Sequence, residues 1–131
     1  MKECIIGMIA LLLCTLSMIA FAFAKNRKSN ISKNIMELNK KVIIRADKAG
    51  VFYGTLVRKE GDEVELKDCR RIWYWDGAAS LSQLATEGTS KPKNCKFTVS
   101  VEEMTIFGVI EIIPCTESAI TSISKVPVWR V

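Results

Sequence analysis

Residues 70–91 read RRIWYWDGAASLSQLATEGTSK and hold the side chains best suited to grip a ligand. Arg70 and Arg71 carry planar cations that match phosphate or carboxylate, or stack on a base. Trp73, Tyr74 and Trp75 offer ring faces on which bases stack without a basic groove. Ser80, Ser82 and Gln83, with Thr86 and Thr89, place hydroxyls and an amide around a helix start, where main-chain N–H groups favour an anion. Together these types point to recognition of a phosphorylated planar molecule. Each also has a plainer use. The two Arg can answer Glu63, Glu65 and Asp68, the rings can fill a core or an interface, and Ser80 can simply cap. Strand alternation puts Arg70 and Arg71 on opposite faces, so only one can face a given site. The same alternation pairs Trp73 with Trp75 and Tyr74 with Ile72.

Catalysis has little to work with. The chain contains no His, which removes the commonest general base and metal ligand. Ser80 or Ser82 as a nucleophile would have no base. The spacing is not that of a P-loop. The five Cys, at positions 4, 14, 69, 95 and 115, form no C-x-x-C pair and suggest neither zinc nor a disulfide framework. A non-enzymatic protein with no cofactor and no metal is expected. Arg45 and Tyr53 are further ligand candidates, equally explained by edge-strand solubility and core packing; Asp76 holds the turn by default or pairs with an Arg, and Lys91 could reach a phosphate but is ordinarily only solvated.

The elements that must position these groups follow from pattern. Residues 41–46 (KVIIRA) and 51–59 (VFYGTLVRK) read as strands joined by a turn, with Gly54 marking a bulge or close approach. Residues 63–67 (EVELK) alternate as a third strand, and 70–75 form a fourth. Asp76-Gly77 is a turn signal. Residues 78–87 read as a helix, with Ser80 as N-cap, Gln83 completing a capping-box pattern and Gly88 ending it. A loop broken by Pro92 leads to strands at 96–100 and 104–113, the second bent at Gly108. Thr116 caps a short helix, and Trp129 packs back on the sheet. Short strands with tight turns indicate an antiparallel meander. The fold class expected is α+β: a small, mostly antiparallel curved sheet or partial barrel with one or two short helices, preceded by an N-terminal transmembrane helix. Residues 40–131 form the domain, at a size where one core is marginal, which favours a homo-oligomer or tight packing by Trp.

Residues 5–24 are 20 uncharged, mostly apolar residues, long enough to span a bilayer. A cleaved signal peptide is the rival, since Ala22-Phe23-Ala24 fits a cleavage site. Lys25, Arg27, Lys28 and Lys33 follow, in a polar stretch (25–39) read as a linker, and favour a cytoplasmic domain. Translation from Met36 would instead give a cytoplasmic protein without the leader. Residues 1–35 hold five Lys/Arg against one Glu, while the remainder holds 14 against 13 acids. The domain is thus near neutral and lacks the footprint of a duplex nucleic-acid binder.

The segment RRIWYWDGAASLSQLATEGTSKP, the CKF after it, VIIRADKAGVFYGTLVRKEGDEVELK before it and FGVIEIIPCTESAITSI beyond resemble a widespread family of small phage and prophage proteins, mostly of unassigned function. The resemblance covers the chain from about residue 42 and carries over no catalytic residues. By analogy with phage proteins of this size that sequester nucleotide alarm signals, it implies a small-ligand-binding protein of phage origin. The alternative is a structural or self-association module with no small ligand.

Overall fold

The computed structural model describes residues 2–131, and side chains for 6–30 and 38–131. Two compact units divide the chain near residue 36, and each stands by itself. The first is helix α1, Lys2–Glu37. Within it Ile6–Asn30 is long and apolar enough to cross a membrane, and its side chains are exposed. The helix continues through most of the stretch expected to be a polar linker. Asn and Ser there are modest helix formers, but Lys and Arg are good ones and neither Gly nor Pro interrupts residues 25–37.

The second unit is an α+β fold. Its strands are β1 (Lys41–Ala46), β2 (Gly50–Glu60), β3 (Glu63–Tyr74), β4 (Lys96–Phe97), β5 (Val101–Ile106) and β6 (Val109–Pro114). They make one antiparallel sheet in the order β4-β3-β2-β1-β6, and β5 pairs with the other half of β3. The chain therefore steps from one side of the meander to the other through residues 107–108. Laid flat, β5 and β6 would stand about 19 Å apart, four strand spacings. The connection reaches only about 10 Å, so the sheet must curl. The bend expected at Gly108 is there, at φ 69°, but the single strand expected over 104–113 is corrected: residues 107–108 divide it into two strands that keep the same direction and pair on opposite edges, β5 with β3 and β6 with β1.

The curl creates two cores. Val42, Ile44, Phe52, Leu56, Val64 and Leu66 fill its inside. Ile43, Tyr53 and Ile72 point outward and are covered by helices α2 (Leu81–Thr86) and α3 (Glu117–Ile123), Phe97 and Val126. Full burial of each large apolar side chain contributes about 1.5–3 kcal/mol. Two expected strands, 63–67 and 70–75, are in fact one. Asp68 is an extra residue at φ 48°, opposite Gly54, and forms a bulge. Gly54 permits the close approach expected of it, since a Cβ there would stand 3.1 Å from the Lys67 carbonyl oxygen. The bulge resets the alternation, so Leu66 and Cys69 face the same core although three residues apart.

Candidate functional site

Reset at Asp68, β3 sends Arg70 and Arg71 to opposite faces, as alternation requires. The Arg70 guanidinium lies over the Phe97 ring, 5.3 Å from its centroid. It donates to the carbonyls of Thr98, Val126, Phe97 and Pro127 at 3.0–3.2 Å. Burial lowers its pKa. Arg70 thus clamps the C-terminal tail to β4 and is consumed in doing so. Arg71 stacks over Phe52 at 4.6 Å and donates to the Ala49 carbonyl at 2.6 Å. Neither Arg answers Glu63 or Glu65, which are held by Arg58 at 2.5 and 3.1 Å.

The rings also separate. Trp75 lies past the end of β3 and packs against the helix-covered core. It therefore does not share a face with Trp73, because strand alternation stops at Tyr74. Trp73 is 66% exposed and stacks on Trp129, with centroids 6.0 Å apart and planes 18° from parallel. Tyr74, half exposed, opens onto a separate groove.

The polar residues after the turn are tied into the fold. Ser80 caps α2 by accepting from the Gln83 N–H at 3.2 Å, and the Gln83 side chain accepts from the Ala79 N–H and donates to Glu87. Ser82 is exposed, and its carbonyl accepts from the Thr86 hydroxyl. Thr89, 8% exposed, donates to the Asp76 carbonyl at 2.5 Å and accepts from the Lys91 N–H at 3.0 Å. The Cys95 thiol lies beneath, 3.4 Å from the Asp76 carbonyl oxygen. Ser122 of α3 accepts from the Thr89 N–H and donates to its carbonyl, both at 2.9 Å. Asp76 accepts from Asn94 and from the Gly77 N–H, and these bonds, with Lys91 beside them, lower its pKa. Gly77, at φ 79°, has no room for a side chain: a Cβ would fall 2.6 Å from the Lys91 nitrogen.

Arg70, Arg71, Trp73, Tyr74, Trp75, Ser80, Ser82 and Gln83 therefore do not converge on one pocket. Beside Tyr74 lies a groove of about 450 Å³ between the end of β3, the 92–95 turn and the tail. Tyr74, Asp76, Lys93, Asn94, Lys96 and Trp129 line it. The Lys96 ammonium stands 5.5 Å over the Trp129 ring. Among the described residues neither Lys93 nor Lys96 has a carboxylate within 4.0 Å. Of the lining residues, only Tyr74 was chosen as a leading site residue by sequence. Lys93 and Lys96 carried no signal there beyond the basic run KPKNCK.

Among the described residues no three His, Cys, Asp or Glu side chains converge to hold a metal ion. The groove offers one ring face and two cations. No curated protein and no solved structure matches the chain. A family model described as a domain of unknown function (DUF6948) matches residues 39–123, which spans the sheet and both short helices but stops before the tail that carries Trp129. The chain belongs to this DUF6948 family.

Proposed function

We propose that the protein is a non-catalytic binding protein for a phosphorylated planar molecule, with a nucleotide as the reference ligand, seated in the groove of Tyr74, Lys93, Lys96 and Trp129. One observation supports this above the others: a half-exposed aromatic ring and two lysines lacking a carboxylate partner among the described residues share one groove of about 450 Å³. That volume falls in the small-molecule range of roughly 300–1,000 Å³. A ring face binds any base by stacking, and an ammonium binds phosphate as a point charge. The missing His and the internal bonding of Ser80, Gln83 and Thr89 favour binding over catalysis.

The protein is anchored by α1 in this account. The cluster Lys25, Arg27, Lys28 and Lys33 follows the apolar run and favours the domain on the cytoplasmic side. The test is a panel of cyclic and linear nucleotides titrated into the full chain in detergent, read by thermal shift and by size. Stabilisation by a nucleotide is the expected result. An unmoved melting temperature with all of them, together with a discrete oligomer broken by Trp73→Ala, would instead favour a self-association module.

A further inference from the structure

We infer that the Trp73–Trp129 plate and the lysines beside it dock the domain on an anionic bilayer surface, so that the phosphates it meets are those of lipid headgroups. This rests on the phosphate-binding reading of the groove and on α1 as an anchor. Trp73 is 66% exposed, Trp129 38% and Val128 45%, an apolar face left open beside exposed Lys93, Lys96 and Arg130. Indole rings beside ammonium groups are the combination that sits at headgroup depth, with the ring in the interface and the charge among phosphates. The acid on the groove, Asp76, is offset by Lys91 at 3.6 Å and bonded to Asn94. The rest of the domain is nearly neutral, so cations concentrated here set an orientation.

The occupant follows from the chain as well as from the surface. Only three residues, 38–40, separate α1 from β1. A domain tethered to a spanning helix meets the bilayer at a raised effective concentration, and binding need not supply the full cost of encounter. Charge then chooses the face presented. On the cytoplasmic side, the leaflet carries the anionic lipids that attract such cations.

The test uses the full chain in vesicles whose lipids are brominated near the headgroup, with Trp emission as the readout. Vesicles of phosphatidylcholine alone are compared with vesicles containing about 30% phosphatidylserine. This range gives the surface potential that such cations sense. Quenching at least about twofold stronger with the anionic lipid, reduced in Trp73→Phe and lost in Lys93→Glu/Lys96→Glu, is expected. Trp73 is exposed, so its replacement leaves both cores intact. Equal quenching in the two vesicles, or quenching unchanged in Trp73→Phe, would overturn the inference. A soluble nucleotide that stabilises the chain while the lipids have no effect would overturn docking and leave phosphate binding standing. Failure of both arms would remove both. Trp73 shielded at every lipid composition, with a doubled particle mass, would overturn it in favour of a second copy.

Discussion

The Thr89 hydroxyl donates to the main-chain carbonyl of Asp76 across 2.5 Å and closes a loop spanning thirteen residues. The same oxygen accepts from the Lys91 N–H, and the Thr89 main chain is held at both ends by Ser122. One buried residue thus joins the turn after β3 and the loop after α2 through its side chain, and the last turn of α3 through its main chain. Thr89→Val keeps the shape and removes both side-chain bonds, leaving the Lys91 N–H without its partner and the Asp76 carbonyl with only the weak Cys95 thiol. We predict a loss of about 1–3 kcal/mol in urea unfolding, with Thr89→Ser losing markedly less.

Gly77 supplies a control within the same knot. Gly77→Ala forces a side chain into a left-handed conformation and against the Lys91 nitrogen. Strain and overpacking together cost roughly 2–4 kcal/mol. Gly61→Ala, at φ 58° but in open space, should cost only about 1 kcal/mol. Urea midpoints of the two variants, measured side by side, separate the steric contribution from the conformational one.

Arg70 makes a distinct prediction, because its four carbonyl partners lie on β4 and the tail. An ammonium cannot reach all four, so Arg70→Lys should free residues 126–129 while the sheet persists. Hydrogen exchange should quicken at Trp129, whose N–H donates to the Phe97 carbonyl, and exchange in β1 and β2 should stay slow. Uniform acceleration through the sheet would show that Arg70 holds the fold rather than the tail.

What the sequence disclosed and what it hid divide along physical lines. Patterns set by neighbours within a few residues were legible: the alternation of residues 63–67, the Ser80 and Thr116 caps, and the close approach at Gly54. The Asp68 bulge was hidden, because only the pairing with β2 reveals that one residue is extra. At Gly108 the bend was legible, but the division into two strands on opposite edges was hidden, since an apolar run reads alike as one strand or two. The site moved for a related reason. Types such as Arg and Ser announce ligand chemistry, yet whether a carbonyl from the far end of the chain has already claimed them depends on tertiary contacts. Arg70 is claimed by Val126 and Pro127, and Thr89 by Asp76 and Ser122. Lys93 and Lys96 gained their setting only when the tail laid Trp129 beside them.

Alkaline pH should loosen the domain from its buried acids. Burial pushes the Cys69 and Cys115 thiols up to about 11 and the Tyr53 hydroxyl up to about 12. In the unfolded chain thiols ionise near 9 and Tyr near 10. The folded chain therefore holds more protons than the unfolded one above pH 9, and stability falls as pH rises. The contribution is complete below pH 9 and is lost through about pH 11 to 12. Urea midpoints should hold level from pH 7 to pH 8.5 and decline beyond pH 9. A level midpoint to pH 11 would contradict the burial of these three groups.

The groove itself is tested most directly by calorimetric titration of the full chain with nucleotides and inorganic phosphate, wild type beside two variants. Lys93→Glu/Lys96→Glu reverses the charge of the groove, and Arg71→Ala empties the opposite face of β3. Wild type should bind at least one phosphorylated probe, the lysine variant should weaken it by about tenfold or more, and Arg71→Ala should leave it within about twofold. Loss of binding in Arg71→Ala with none in the lysine variant, or no binding by wild type at all, would contradict the placement of the site.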